Sequence, residues 1–460
     1  MDTELLRITC IKASGLFGLY NHIVDLKVID RITIIHGPNG VGKTALLRLV
    51  DALVKGKYFE IAKIPLESFV LQLSDGSTVG VRKQADRIGQ LSLDDDENNR
   101  TSSDRMLEVF IVPPDGKEQK KTISPDKIGT PNILRQLSND LPWIIRLDRD
   151  QWIDRRDERI YSPDELIAAF AHKLPPKTRK KIFAEPEWLT EIRSRISVHL
   201  IETQRLLRIS NVPPRMYSHG LEETVVSTVR NYAKELHEKI ADALADYGKT
   251  SQSLDQSFPQ RLLSGNRKPL SVEDLKGRMK DLEEKRNILK KIGLLDEDTA
   301  YPFDTGILDR ADQTEKAAMT LYVDDTARKL GVLDGLANRV TLLLENINKK
   351  FKNKSISIDK KKGIVAADSN GHELDLDSLS SGEQHELVLI YDLLFRVLPN
   401  TLVLIDEPEL SLHLNWQKTF LSDLARIVNT ASFDVLLATH SPFIAGERDD
   451  LMINLVSEKG

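Results

Sequence analysis

The sequence predicts an α/β fold in which N-terminal and C-terminal segments share one parallel sheet and a helical insertion lies between them. The first observation is a glycine-rich turn that joins a compact apolar run at 32–35 to an amphipathic helix at 44–53. The second is a pair of apolar runs, at 401–405 and 435–439, that predict buried parallel strands. The third is a heptad-like apolar spacing, typical of long helices or a short coiled coil, in the segments 221–250, 271–292 and 312–352.

Shorter patterns complete this prediction. Alternation on both sides of Asp75 and Gly76 predicts a hairpin at 68–83. The Trp- and Arg-rich stretch at 141–160 favours a helix or hairpin, with a contact surface for a partner or nucleic acid as the alternative. Polar stretches predict loops at 92–104 and 251–269. Further strands are expected at 6–11, 23–28, 196–201, 355–359 and 363–376.

Length and composition set the class of protein. A chain of 460 residues, at ~150 residues per domain, predicts two or three structural units. Hydrophobic residues at 40% and charged residues at 29% are too apolar and too balanced for a disordered chain. The net charge of -5 gives no electrostatic reason for the whole surface to bind nucleic acid, although a local basic patch stays open.

The single cysteine, Cys10, excludes an intramolecular disulfide and a zinc site built from cysteines. No stretch approaches the ~18 apolar residues that span a bilayer, and the N-terminal residues do not predict an export signal. We therefore expect a cytoplasmic protein with no membrane partner.

The turn after the apolar run at 32–35 carries a phosphate-binding motif. Its residues satisfy the GxxxxGKT pattern of the P-loop: Gly37, Pro38, Asn39, Gly40, Val41, Gly42, Lys43 and Thr44. The glycines let backbone N–H groups curve around phosphate oxygens, and the amides at the helix start add partial positive charge. Lys43 is expected to reach the outer phosphates, and the Thr44 hydroxyl suits Mg²⁺. The motif predicts binding of ATP with Mg²⁺.

The apolar run at 401–405 ends in two acids, Asp406 and Glu407. The carboxyl ends of parallel strands are where open α/β sheets build their ligand sites. Asp406 is expected to orient Mg²⁺ or its water, and Glu407 to orient the attacking water or accept its proton. An acidic turn after a core strand is the alternative, and the P-loop in the same chain favours the catalytic interpretation.

A third motif precedes this strand. Taken alone, it would be a capped helix start, but it resembles the signature motif of ABC and SMC-like ATPases: Ser380, Ser381, Gly382, Glu383 and Gln384. In that family one subunit presents this motif to the γ-phosphate held by the P-loop of the other. The resemblance implies an ABC-type P-loop ATPase head and a composite active site that forms when two copies meet. The physical basis is a helix N-terminus and a hydroxyl that face an anion.

Two more roles follow from this resemblance. His440, after the apolar run at 435–439, resembles the switch histidine that contacts the γ-phosphate and helps to hold the attacking water. Gln204, after the expected strand at 196–201, resembles the glutamine that senses Mg²⁺ and water, with a surface turn as the alternative. Phe17 or Tyr20 could stack on adenine, or either could pack in the core.

The C-terminal strings point to one branch of this family. DEPELSLH at 406–413, Trp416 with Gln417, and ATHSP at 438–442 closely resemble OLD-like ATPases of bacterial and phage-defence systems. OLD nucleases continue into a Toprim nuclease domain, whereas 20 residues follow His440 here, so none is expected. The resemblance covers residues 1 to about 85, 196–206 and 340–460.

A stand-alone head of this type resembles the ATPase components of two-gene anti-phage systems. Length and the lack of an appended domain favour PARIS first and Septu second. The resemblance implies a homo-oligomer, held by ATP, that stores a separate effector nuclease encoded alongside and responds to a phage-derived trigger. That effector is of Toprim type in PARIS and of HNH type in Septu.

Two other hypotheses compete with this one. An SMC-like DNA-repair ATPase that clamps duplex DNA would need a basic stripe on the head or arms. A nuclease would need an HNH string or an acidic cluster outside the ATP site, and the sequence supplies neither.

The motifs divide the chain into five segments. They are an N-terminal lobe at 1–90, a mixed insertion at 91–195, a return strand with Gln204 at 196–210, a helical arm at 211–352 and a C-terminal lobe at 353–460.

Overall fold

A computed structural model describes most of the chain and divides it into two compact units. The first unit is residues 1–214 with 397–460, and the second is residues 215–396. The described residues are 5–83, 106–123, 130–148, 151–154, 159–170, 173–175, 185–202, 228–264, 268–296, 305–410, 414–441, 444, 446 and 448–455. The predicted loop at 92–104 and Gln204 lie outside them. The finer division into five segments stays a prediction.

A five-stranded parallel sheet carries the motifs of the first unit. Its strands, in spatial order, are β11 (Val198–Glu202), β15 (Leu402–Asp406), β16 (Asp434–Thr439), β3 (Ile32–His36) and β17 (Met452–Asn454). The three central strands are buried almost throughout, as continuous apolar runs in a parallel sheet must be. Because strands from both ends of the chain interleave here, the predicted α/β head built from N- and C-terminal segments is confirmed.

Helices complete the parallel layer. Helix α1 (Lys43–Lys55) starts directly after the glycine-rich turn and buries its apolar face, including Leu46, Leu47, Val50 and Leu53. This confirms the helix predicted from their spacing. The other helices of the first unit are α2 (Tyr58–Lys63), α3 (Thr130–Asp140), α4 (Pro163–Phe170), α5 (Glu187–Ser194) and α11 (Leu414–Ala431), which connects β15 to β16.

An antiparallel sheet of six strands forms the second layer of this unit, in the order β2-β1-β4-β5-β6-β7. The predicted hairpin is confirmed, since β4 and β5 pair across a turn in which Gly76 has φ 85°. The strands are β1 (Ile8–Leu16), β2 (Tyr20–Asp25), β4 (Ser68–Leu73), β5 (Thr78–Lys83), β6 (Leu107–Val112) and β7 (Gln119–Ile123).

The Trp- and Arg-rich stretch is a small antiparallel sheet, the hairpin alternative of the prediction. Its strands are β8 (Ile144–Asp148), β9 (Gln151–Asp154) and β10 (Arg159–Tyr161). The Arg146 guanidinium lies 5.6 Å from the ring centroid of the buried Trp152. An arginine here covers an aromatic ring, which agrees with the packing interpretation.

The second unit combines long helices with a short antiparallel sheet. Its strands are β12 (Lys354–Asp359), β13 (Gly363–Asp368) and β14 (Glu373–Leu374). Gly363 has φ 75°, and a Cβ there would lie 1.9 Å from the Ala233 carbonyl oxygen, so only glycine lets the sheet approach the long helix this closely. The helices are α6 (Thr228–Leu263), α7 (Val272–Lys291), α8 (Gln313–Gly331), α9 (Asp334–Lys350) and α10 (Ser381–Tyr391), which leads into a π-helical turn (Asp392–Arg396).

The predicted loop at 251–269 is wrong for its first 13 residues, 251–263. Helix α6 continues to Leu263 and contains Pro259. Arg261, near its end, forms two hydrogen bonds to the Asp325 carboxylate of α8, at 2.6 and 2.7 Å. These tertiary contacts outweigh the helix-breaking tendency of one proline. Within the described ranges, no helix is both long enough and apolar enough to cross a membrane.

Candidate nucleotide-binding site

The loop between β3 and α1 has the backbone that a P-loop requires. Gly40 and Gly42 have φ 83° and 102°, in the left-handed region that favours glycine. A Cβ on Gly42 would lie 2.5 Å from Leu16 Cδ2, so a side chain there would force Leu16 to shift. The buried His22 ring contacts the loop, because its Nε2 lies 2.8 Å from the Val41 carbonyl oxygen. Sequence reasoning missed His22, since only the fold brings it under the loop.

The Lys43 side chain lies across this loop. Its Nζ donates to the carbonyl oxygens of Gly37 at 2.8 Å and Pro38 at 3.1 Å, and lies 2.6 Å from His440 Nε2. Burial lowers the pKa of Lys43, and the carboxyl groups at the end of β15 oppose that shift. The ammonium group is therefore held inside the loop, next to acidic side chains.

Thr44 and Asp406 form an oxygen pair between α1 and β15. The Thr44 hydroxyl donates to Asp406 Oδ1 at 3.1 Å. A hydroxyl and a carboxylate are the donors that Mg²⁺ prefers at a nucleotide. Two of the three residues predicted for the Mg²⁺ site therefore come together from positions 362 residues apart, and their chemistry fits the metal; the third, Gln204, lies outside the described residues.

Glu407 turns away from the direction of its strand. Its φ of 48° lies in the left-handed region, which is uncommon for a residue with a side chain. Its N–H donates to the Ala438 carbonyl at 2.9 Å, and its Oε1 lies 3.3 Å from His440 Nε2. Burial, followed by the neighbouring Glu409 carboxyl, raises the pKa of Glu407 to about 8. The turn thus brings the two predicted catalytic side chains together.

His440 lies between a cation and a carboxyl group. Burial and the Lys43 ammonium lower the pKa of His440 below its usual value. A neutral ring accepts a hydrogen bond at one nitrogen, so Nε2 can accept from Lys43. The ring is therefore suited to stay uncharged at neutral pH beside the P-loop lysine.

Glu409, two residues after Glu407, has a place in the site that sequence reasoning missed. Its Oε1 accepts hydrogen bonds from the Thr439 hydroxyl at 2.7 Å, the His440 N–H at 2.8 Å and the Ser441 N–H at 3.1 Å. Burial opposes ionisation of Glu409, but hydrogen bonds, first that from Thr439, lower its pKa. The only available signal was a second glutamate at a fixed spacing after the acidic strand end.

The signature residues lie in the second unit, at the start of α10. Ser380 caps the helix and forms a capping box with Glu383. Glu383 Oε2 also accepts from Lys354 Nζ at 2.7 Å, and Gln384 Nε2 donates to the Leu379 carbonyl at 2.9 Å. The side chains of Glu383 and Gln384 are thus used within the unit, whereas Ser380 and Ser381 are exposed.

The predictions for Gln204 and for the adenine-stacking ring have different outcomes. Gln204 lies outside the described residues, so its role stays a prediction. Phe17 does not pack in the core: it is 41% exposed, and its Cε2 lies 3.4 Å from the position of a Cβ on Gly42. Tyr20 is half-buried and stacks on His22, with ring centroids 5.8 Å apart. Phe17 is therefore the aromatic ring left open beside the P-loop.

Comparison with known proteins identifies the family. The model of the AAA ATPase domain family matches residues 17–445, which is most of the chain. The chain therefore belongs to the AAA ATPase domain family. Membership supports the nucleotide-binding ATPase class that the motifs predict.

Solved structures of SMC head domains also match the chain, with low scores. The head domain from Thermotoga maritima gives a TM-score of 0.34 at 10% identity, over 98% of this chain and 96% of that one. The Pyrococcus furiosus Smc head with an extended coiled coil, bound to the C-terminal domain of ScpA, gives 0.33 at 12% identity, over 98% and 94%. An SmcHead bound to the C-winged helix domain of ScpA gives 0.33 at 10%, over 97% and 94%. Scores this low support no argument, and the fold class rests on the strand order.

Proposed function

We propose that this protein binds ATP with Mg²⁺ and hydrolyses it. The observation that carries the proposal is a set of contacts at the carboxyl edge of the parallel sheet. His440 Nε2 lies 2.6 Å from Lys43 Nζ and 3.3 Å from Glu407 Oε1. The side chains that meet there, all within the first unit, are Lys43, Thr44, Asp406, Glu407 and His440.

Each side chain has a distinct task in this proposal. The backbone amides of the P-loop and the Lys43 ammonium bind the phosphate chain. Thr44 and Asp406 hold Mg²⁺, which when bound neutralises charge on the phosphate oxygens. In its ionised form, Glu407 orients the attacking water and accepts its proton, and His440 fixes the position of Glu407 and contacts the γ-phosphate. These tasks belong to the half of the site that one copy of the chain provides.

We propose further that the signature motif of a second copy completes the site. Ser380 and Ser381 are exposed at the start of α10, where helix amides and hydroxyls attract an anion. The resemblance to ABC and SMC-like ATPases supplies the arrangement in trans. ATP would then act as a contact between copies as well as a substrate, so nucleotide and assembly are linked.

The proposed biological role is an ATP-organised scaffold that senses infection and controls a separate effector nuclease. Its support is the resemblance of the segments at 406–413 and 438–442 to OLD-like defence ATPases. A PARIS-type partner would be a Toprim protein, and a Septu-type partner an HNH protein. A phage-derived trigger would release the effector from the oligomer.

One experiment tests the ATPase proposal. Phosphate release and ATP affinity are both measured for the wild type with and without Mg²⁺, for Lys43→Ala, and for Lys117→Ala as an exposed lysine control. We expect Mg²⁺-dependent turnover that Lys117→Ala retains, and an ATP affinity that falls about 100-fold or more in Lys43→Ala because a charge-assisted phosphate contact is lost. Equal ATP affinity in the two lysine variants would contradict the assignment.

A second experiment tests the role. The chain is purified together with the product of the neighbouring gene, with and without ATP and Mg²⁺, and oligomer mass and co-elution are measured. Co-elution in a multimer that weakens in Lys43→Ala supports the effector scaffold. A chain that ignores its neighbour, dimerises with ATP and retards duplex DNA would instead indicate the SMC-like clamp.

A further inference from the structure

Among the described carboxylates at the end of β15, Glu409 is the one for which ATP hydrolysis, as proposed above, provides no task. It lies in a short 3-10 turn (Pro408–Leu410) directly after the acidic end of β15. We infer that Glu409 is a positioning residue: its carboxylate holds the loop after β16 so that His440 meets Glu407. This inference rests on the proposed function, because the geometry it fixes is that of the hydrolytic pair.

The contacts of Glu409 Oε1 carry this inference. One oxygen accepts from the Thr439 hydroxyl at 2.7 Å and from the backbone N–H groups of His440 at 2.8 Å and Ser441 at 3.1 Å. Hydrogen bonds to a carboxylate are stronger than those between neutral groups. The donors of these three hydrogen bonds are His440 and its two neighbours in the chain, Thr439 and Ser441.

The sheet does not supply partners for these amides. Pairing of β16 with β3 ends at Thr439, opposite His36. The N–H groups of His440 and Ser441 lie past this point, where a buried backbone donor needs another acceptor. Glu409 is the acceptor for the His440 N–H, and it shares the Ser441 N–H with the Thr439 hydroxyl, which lies 2.9 Å from the Ser441 nitrogen. The position of His440 therefore depends on a side chain from the turn that follows β15.

The backbone carbonyl of Glu409 is also hydrogen-bonded. Gln417, on α11, donates from Nε2 to the Glu409 carbonyl at 3.1 Å. Ser441 Oγ donates to Gln417 Oε1 at 3.4 Å. The contacts therefore form a closed ring between the end of β15, the first turn of α11 and the end of β16, and this ring limits movement of Glu409 relative to His440.

The positioning of His440 matters for hydrolysis because of its short distances to Glu407 and Lys43. His440 Nε2 lies 3.3 Å from Glu407 Oε1 and 2.6 Å from Lys43 Nζ. A displacement of about 1 Å in a catalytic group costs about 100-fold in rate. The Glu409 carboxyl also contacts Glu407 and raises its pKa, so amide exchange at His440 is the readout that reports the position of His440 separately from this electrostatic effect.

The test uses two substitutions at Glu409 and a matched control. Glu409→Ala removes the acceptor, and Glu409→Gln keeps an oxygen in the same place without the charge. Glu185→Gln is the control, because Glu185 is a buried carboxylate of the same unit that accepts from Tyr58 at 2.7 Å and Arg193 at 2.9 Å. For each protein, kcat and KM for ATP are measured, together with hydrogen exchange of the His440 and Ser441 amides.

We expect Glu409→Ala to lower kcat about 100-fold with KM changed by no more than about threefold, since the phosphate-binding loop is untouched. Exchange at the His440 amide should rise about tenfold, because it loses its acceptor, and exchange at the Ser441 amide should rise less, because its N–H also donates to Thr439 Oγ1 at 2.9 Å. Glu409→Gln should keep kcat within about tenfold of the wild type, and Glu185→Gln should change neither readout. Unchanged kcat and exchange in Glu409→Ala would overturn the inference, as would an equal loss in Glu185→Gln.

The two readouts separate this inference from the proposed function. A wild type without ATP turnover would refute the proposed function, while amide exchange would still decide whether Glu409 holds the loop. Normal wild-type turnover with an active Glu409→Ala variant would leave the proposed function standing and remove the positioning role.

Discussion

Gly42 determines how closely the phosphate-binding loop approaches the first strand of the antiparallel sheet. Its φ is 102°, and a Cβ would meet Leu16 Cδ2 at 2.5 Å. Gly40, in the same loop, has φ 83° but nothing within 4 Å of its Cβ position. Gly40 is therefore required only for its backbone conformation, whereas Gly42 is required both for its backbone conformation and for the lack of a side chain beside Leu16.

We predict that Gly42→Ala destabilises the nucleotide-free protein more than Gly40→Ala. Both substitutions place alanine in the left-handed region, at a cost of about 1 kcal/mol. Gly42→Ala adds the overlap with Leu16, for a total of about 2–4 kcal/mol. Chemical denaturation checks this, and equal losses in the two variants would show that Leu16 moves aside freely.

At this scale, the sequence predicted the residues that a motif contains and missed those that only the fold brings near. Lys43, Thr44, Asp406, Glu407 and His440 meet as their motifs predict. Sequence reasoning missed two contacts: that of His22 with the P-loop carbonyl of Val41, and that of Glu409 with the backbone of His440. Apart from the Thr439 hydroxyl, their partners are a backbone carbonyl and backbone amides, which any sequence provides and which no residue pattern identifies.

The start of α10 illustrates how an element presents a motif. Ser380 is the N-cap and accepts from the Glu383 amide, while its own N–H donates to Glu383 Oε2 at 2.8 Å. Lys354, at the start of β12, holds the same carboxylate at 2.7 Å. These local contacts fix the direction of the helix start, so the adjacent Ser381 is presented at the surface.

We predict that the two adjacent serines differ in their effect on stability. Ser380→Ala removes the cap and should lower the free energy of unfolding of the second unit by about 1 kcal/mol. Ser381→Ala, at the exposed first helical position, should change it by less than about 0.5 kcal/mol. Thermal or urea unfolding measures both, and a larger loss for Ser381→Ala would contradict the capping assignment.

Secondary structure was predictable where local chemistry and tertiary packing agree. The hairpin around Gly76 and helix α1 have turn residues and periodicity that point to the structure they adopt. The end of α6 did not follow this rule, since Pro259 and nearby serines favour a loop. Arg261 and Asp325, 64 residues apart in sequence, keep it helical through an ion pair that local patterns do not contain.

At the scale of the whole molecule, the proposed active site needs two copies of the chain. The first unit contributes the P-loop, Asp406, Glu407 and His440, and the second unit contributes the signature. A variant without a working P-loop and a variant without a working signature should therefore complement each other. This follows from the symmetry of a closed dimer.

We predict that mixing Lys43→Ala with Ser381→Arg restores ATP turnover that neither variant has alone. In an equal mixture of freely exchanging dimers, about a quarter of the sites combine an intact P-loop with an intact signature. Phosphate release from the mixture, compared with each variant and the wild type, measures this fraction. Turnover by Ser381→Arg alone would contradict a signature role in trans.

Glu407→Gln tests the central claim most directly, because it leaves the ATP contacts of Lys43, Thr44 and Asp406 in place. The measurement is oligomer mass in solution with ATP and Mg²⁺, taken together with phosphate release. We predict that turnover falls about 100-fold or more, and that the variant stays assembled with ATP under conditions in which the wild type dissociates. Normal turnover in Glu407→Gln, with the mass of the nucleotide-free protein, would contradict the account.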